Sequence, residues 1–253
     1  MRTRVCRDWR RDKENILFSL ISQTKSGLFK QSLDKLNLFN NLFFSDLMNE
    51  EEPEYIRLVE QTEIFKNCKN IVIGRGNENA KILFVGEAPG RNEDEQGLPF
   101  VGAAGKNLDK LLNKVGLTIE DIYIVNILKC RPPENRNPLP EEIRMHTPWL
   151  VEQIKKIKPK VICSLGNYST KFFLANGDVD KMDKVSGITS LHGKPQIIEF
   201  KGITITLLPL FHPAAIIYNQ KLLPLWEEDM KVVKQVSESV KNEIDIERQK
   251  KLF

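Results

Sequence analysis

The sequence predicts an α/β protein: a short four-stranded parallel sheet covered by helices on both faces, with a mostly helical extension ahead of it. Three observations carry that expectation. Four short apolar runs, at 81–86 (KILFVG), 122–128 (IYIVNIL), 160–165 (KVICSL) and 203–208 (ITITLL), have the length and near-continuous hydrophobicity of strands buried on both faces. Helical patterns at 105–115, 140–157, 167–174 and 221–241 fall between and after them, and alternating strands and helices build a parallel sheet. The residues with chemistry follow the strands: GEAPG after the first, KCRPPENRNP after the second, SLGN after the third, PLFHPAA after the fourth. In an open parallel sheet such loops gather along one edge, where ligands bind.

Taken in order, residues 1–58 read as an N-terminal extension. It opens with Arg2, Arg4, Arg7, Arg10 and Arg11, and the apolar spacing from Leu33 to Leu47 suits an amphipathic helix, packed on the main domain or on a partner. Residues 59–241 carry the strand and helix alternation, and 242–253 form a charged tail. In GEAPG, two glycines and a proline force a sharp turn at a strand end, leaving amide groups free to meet a ligand. The Lys-Ser/Thr ending of a nucleotide-binding P-loop is missing, which excludes an ordinary NTPase. An acidic stretch, Glu93 to Glu95, and Phe100 precede a helix marked by Gly105 and by Leu108, Leu111, Leu112 and Val115 at helical spacing. Asn126 stands among Ile and Val in the second strand, where an amide is costly unless hydrogen-bonded, so the position points to function.

Composition bounds the partners. Apolar residues make up 41% of the 253, enough for a full core. Lys and Arg number 38 against 34 Asp and Glu, a balance too mild to announce nucleic acid by charge alone. No apolar run reaches the roughly 18–20 residues of a membrane span, and MRTRVCRDWRR lacks the core of a secretory signal. The expectation is a soluble intracellular monomer, in the cytoplasm or nucleoid, or nuclear in a eukaryote. The four cysteines, Cys6, Cys68, Cys130 and Cys163, are scattered without a CxxC pair, which predicts reduced thiols rather than a disulfide framework or an ordinary zinc site.

GEAPGRNEDEQGLPFVGAAGKNLDKLL, IVNILKCRPPENRNPLPEEI, KVICSLGN and HPAAI, in this order and at these separations, resemble the family 4 uracil-DNA glycosylases of the uracil-DNA glycosylase superfamily, over residues 70–236. The resemblance implies a three-layer α/β/α sandwich, an agreement with the pattern above reached separately. It implies hydrolysis of the N-glycosidic bond of uracil in DNA, initiating base excision repair. Such a reaction needs the base flipped into a pocket that reads its edge. By resemblance, Phe100 is the stacking aromatic, Asn126 the base reader, and His212 the catalytic donor to the uracil carbonyl as negative charge develops. Glu87 and Glu93 match acidic positions of the first motif, one of them placed to position or activate water. Backbone amides from Gly86 onward add to the anion site, and Ala88 stands where family 1 enzymes carry a water-activating Asp. Gly102, Lys106, Gly166, Asn167 and Lys194 are candidate DNA contacts, and Ile216 and Ile217 occupy the place of the wedge that fills the duplex, or else pack in a helix.

The sequence also departs from the family. Family 4 enzymes carry a [4Fe–4S] cluster on four cysteines, and the resemblance places three of those positions on Val59, Thr62 and His146; Cys130 keeps the remaining one. No cofactor is therefore expected, with a zinc site on Cys68, Cys130 and His146 as the alternative. The loop RNEDEQGLPF lacks the histidine-bearing insertion of a related subfamily that traps its substrate covalently. Gln249, Leu252 and Phe253 resemble the short peptides that dock on sliding clamps. Two other functions stay open: removal of another base, such as hypoxanthine or a modified cytosine, and a catalytically silent DNA-binding or processivity module.

Overall fold

A computed structural model of the chain describes residues 54–250. The described elements all belong to the unit Glu54–Phe253. The arginine cluster and the Leu33–Leu47 pattern lie outside the described residues, as do Leu252 and Phe253.

The unit opens with helices α1 (Glu54–Glu60) and α2 (Glu63–Lys66), then strands β1 (Arg75–Gly76) and β2 (Ile82–Gly86). Helices α3 (Arg91–Gln96) and α4 (Ala103–Lys114) lead to β3 (Ile122–Asn126), α5 (Pro140–Ile157), β4 (Val161–Leu165) and α6 (Gly166–Leu174). After α7 (Ile188–Leu191) come β5 (Gln196–Phe200), β6 (Ile203–Leu210), α8 (Ala215–Tyr218) and the long α9 (Leu223–Lys250). Among the described residues no helix is long and apolar enough to cross a membrane.

The sheet has six strands rather than four, in the order β1-β3-β2-β4-β6-β5. The inner four are the predicted parallel set, in register from Ile82 opposite Ile122 and Val161 to Gly86 opposite Asn126. Each edge gains one antiparallel strand. β1 is two residues long and has no periodicity to read. β5 turns into β6 through Lys201 and Gly202, both at positive φ, the backbone that a two-residue hairpin requires. Pro209 is tolerated in β6 because β5 pairs it only as far as Leu207, and the Pro209 carbonyl accepts the Gly193 N–H at 2.9 Å.

Alternate residues of the inner strands feed two cores. Leu83, Val85, Val125 and Ile162 pack with Ile143, Leu150 and Ile154 of α5 and with Phe172 and Phe173 of α6. Ile82, Phe84, Ile124 and Cys163 pack with Leu108 and Leu112 of α4 and with Trp226, Met230 and Val233 of α9. Helices thus cover both faces of the sheet, the three layers the resemblance implied. The arrangement leaves the carboxyl ends of β2, β3, β4 and β6 side by side at one edge.

Candidate active site

Gly86 and Asn126 end adjacent strands in register, and Phe100 closes over both. A Cβ built on Gly86 would stand 2.4 Å from Asn126 Oδ1 and 2.7 Å from Phe100 Cζ, so only glycine lets the amide and the ring approach this strand end. Asn126 is 2% exposed, and its Oδ1 is buried without a hydrogen-bond partner. A native acceptor left in that state is costly unless something outside the chain supplies the donor.

Phe100 has φ 55°, a left-handed backbone that a bulky side chain rarely adopts. Three contacts hold it there. Arg75 Nη2, itself bonded to Asp109 at 2.9 Å, donates to the Phe100 carbonyl at 3.1 Å. Glu93 Oε1 accepts the next two amides, Val101 N–H at 3.0 Å and Gly102 N–H at 2.9 Å. A Cβ on Gly105 would fall 1.7 Å from the Phe100 carbonyl oxygen, which explains the glycine within α4. Strain fixed by several partners is a feature of functional sites.

His212 follows β6 and lies beside Phe100, with ring centroids 5.7 Å apart. Its Nδ1 accepts the Ala214 N–H at 3.2 Å. An imidazole that accepts at Nδ1 carries its proton on Nε2. Burial pushes His212 down to about 4, against the opposing pull of the Glu93 charge, so the ring is neutral at physiological pH. Gly166 opens α6 at φ 88°, and a Cβ there would meet His212 Cβ at 3.0 Å. Ser169 Oγ donates to the Val85 carbonyl at 2.7 Å, tying the start of α6 to β2.

Glu87 is half-buried, and loss of water raises its carboxyl above the usual range. It faces Tyr168, whose phenol is pushed up to about 12 by burial first and by the Glu87, Glu142 and Asp183 charges after it. Ala88 is half-buried against the first core.

The candidate DNA contacts separate. Lys106 is exposed near the edge, as is Lys194, whose Nζ donates to the Ser190 carbonyl at 2.8 Å. Asn167 is exposed, and its Oδ1 accepts the Ile188 N–H at 3.1 Å. Gly102 needs correction: it is buried and its N–H already serves Glu93, so it is not free for a phosphate. Ile216 follows the second of its two readings, helix packing. At 4% exposure it packs in the second core, while Ile217 is 45% and its neighbour Tyr218 88% exposed. The sequence pattern did not single out Tyr218, although an aromatic one residue past Ile217 in a short helix was the available signal.

Where the resemblance places cluster cysteines, the donor set does not fit four thiolates. Val59 is a buried aliphatic, and Thr62 Oγ1 donates to the Val59 carbonyl at 2.6 Å. Cys130 is disulfide-bonded to Cys68, against the expectation of reduced thiols. The fold brings these two, 62 residues apart in sequence, to a Cα separation of 5.5 Å, which spacing along the chain does not reveal. His146 Nδ1 accepts the Lys129 N–H at 2.8 Å, and its Nε2 has no partner. Burial, and then the Lys129 charge, lowers His146 to about 3. Among the described residues no group of three or more His, Cys, Asp or Glu is arranged to hold a metal.

The uracil DNA glycosylase superfamily model matches residues 73–234. The chain is 41% identical over 185 residues to a type-4 uracil-DNA glycosylase of Saccharolobus solfataricus, an alignment covering 73% of this chain and 84% of that protein. It is 43% identical over 171 residues to a type-4 uracil-DNA glycosylase of Archaeoglobus fulgidus, covering 68% and 84%. A type-4 uracil-DNA glycosylase of Thermotoga maritima is 44% identical over 154 residues, covering 61% and 75%. With the family match spanning the sheet and every strand-end loop of the site, the chain belongs to the uracil DNA glycosylase superfamily, among the type-4 uracil-DNA glycosylases.

Proposed function

We propose that the protein flips uracil out of DNA and hydrolyses its N-glycosidic bond, leaving an abasic site for base excision repair. The observation that carries the reading is the meeting, at one sheet edge, of a held aromatic ring, an amide with an unpartnered buried oxygen, and a neutral imidazole. Phe100 stacks on the base. Asn126 Oδ1 accepts the uracil N3–H and the amide nitrogen donates to O4. As the bond from N1 to C1′ breaks, its electron pair moves onto the base and charge collects at O2, where His212 Nε2–H donates. Water then adds to the sugar cation at C1′, and its proton is lost. Glu87 is the carboxyl we assign to the water, because it directly follows Gly86 at the end of β2 and is half-buried, whereas Glu93 is engaged by two backbone amides. Glu93 acts by holding the Phe100 turn through two amides, as a positioning residue.

The test is excision from an oligonucleotide with a single uracil, paired with G or A or unpaired, in the presence of EDTA. Release of uracil with an intact abasic strand is expected; binding without release would overturn the reading. We further infer that the chain works without an iron-sulfur cluster, its site being filled by Val59, Thr62, His146 and the Cys68–Cys130 bond. Purified protein is expected to contain no stoichiometric iron or sulfide, with Cys68 and Cys130 recovered as one disulfide-linked peptide pair. Four irons per chain would refute this.

On the DNA side, Lys106, Asn167 and Lys194 flank the edge as phosphate contacts, and Ile217 and Tyr218 are the wedge surface. Replacing Tyr218 by alanine is expected to weaken duplex binding by about three- to tenfold while leaving the thermal midpoint unchanged. Ile216→Ala, which opens the core, is expected to cost about 2–4 kcal/mol of stability. The reverse pattern, in calorimetry and DNA titration, would move the wedge back to Ile216. Support for a sliding-clamp contact is the Gln249, Leu252, Phe253 pattern.

A further inference from the structure

Lys129 has no exposed surface, although a lysine after a strand in a polar loop is ordinarily solvated. Every polar group it carries is engaged. Nζ donates to the Asn126 main-chain carbonyl at 2.7 Å and to Gln153 Oε1 at 2.5 Å. Its N–H donates to His146 Nδ1 at 2.8 Å, and its carbonyl accepts the Val72 N–H at 2.8 Å. Gln153 in turn donates through Nε2 to the Ile73 carbonyl at 2.8 Å. The Lys129 side chain therefore joins the end of β3 to Gln153 of α5, while its main chain bonds His146 of α5 and Val72 in the segment entering β1.

The Asn126 amide needs such support. Its Oδ1 has no hydrogen-bond partner in the chain and lies close against Gly86, so the backbone beneath it carries much of its orientation. A peptide plane held at its carbonyl fixes the Cα–Cβ direction of its residue, and a site about half an ångström out of place loses much of its rate. We propose that Lys129 is a positioning residue for Asn126, holding the base-reading amide in line through its carbonyl and anchoring that carbonyl to α5 through Gln153. The inference rests on the reading of Asn126 as the base-reading residue. Burial lowers the Lys129 amine to about 7. The neutral amine keeps two N–H donors for its two acceptors, so the arrangement survives loss of the charge.

The experiment is a double-mutant cycle with the full chain. Single-turnover uracil excision is measured for wild type, Lys129→Met, Asn126→Ala and the double variant, with thermal midpoints alongside. Lys129→Met is expected to slow excision about 10- to 30-fold in the wild-type background and less than about twofold in the Asn126→Ala background. Its drop in thermal midpoint should be equal in both. Gln153→Ala removes one acceptor at the rim of the network, retains the lysine and serves as a milder probe. It is expected to slow excision about three- to tenfold with the same dependence on Asn126. Equal slowing in both backgrounds, for either variant, overturns the proposal and leaves Lys129 a purely structural residue. Absence of uracil release by wild type would instead overturn the proposed reaction.

Discussion

A His212→Ala variant is expected to release uracil roughly 10²- to 10³-fold more slowly than wild type under single-turnover conditions. The imidazole accepts the Ala214 N–H at Nδ1, which fixes the proton on Nε2 as the one donor it can offer a ligand. The ring lies beside Phe100, the residue on which we propose the base stacks. Because burial holds His212 at about 4, the donor is the same neutral group through the physiological range. The ratio of wild-type to variant rates is therefore expected to stay constant from about pH 5 to pH 8. Stability behaves differently. The folded value lies below the ordinary 6.5, so the unfolded chain binds the proton first as pH falls. The stability held in the neutral ring is complete above the ordinary value and is lost on acidification towards about 4. His146, held at about 3, adds to the same acid sensitivity. Thermal midpoints measured from neutral pH to about 4 should fall less steeply for His212→Ala than for wild type. A rate loss below about tenfold would remove His212 from the leaving-group site.

Asn126→Asp is expected to lower uracil excision by at least about 10²-fold and to produce cytosine release above the wild-type background. The two pyrimidines differ at the edge this side chain faces. Uracil offers an N3–H donor and an O4 acceptor, whereas cytosine offers an N3 acceptor and an amino donor. The asparagine amide complements the first. A carboxyl at a position 2% exposed is pushed towards its neutral form, and it then complements the second by donating to N3 and accepting from the amino group. Excision assays on matched oligonucleotides containing uracil or cytosine decide the matter. An unchanged uracil rate would show that Asn126 does not read the base.

The central strands and the edge they share were legible because burial on both faces leaves a local mark. Ile82 to Val85 and Val161 to Leu165 are buried throughout and almost wholly apolar, as a strand between two helical layers must be. The loops that come after them were legible because glycine, proline and histidine sit where regular hydrophobic periodicity stops. The edge strands were not. β1 spans two residues and β5 alternates half-buried and exposed positions up to the buried Phe200, so neither carries a continuous buried apolar run.

The sequence by itself determined the parallel sheet, the edge at which Gly86, Phe100, Asn126 and His212 meet, and the family that this order of motifs identifies. Those features follow from local pattern and chain order. Only the tertiary structure decided which groups are already engaged. It turned Glu93 towards two backbone amides, closed Cys68 onto Cys130, sent Ile216 inward with Tyr218 outward, and buried Lys129 beneath the Asn126 carbonyl. Each of these depends on a partner far along the chain or on the direction of one bond from the backbone. Hydrophobic spacing within a single element contains neither.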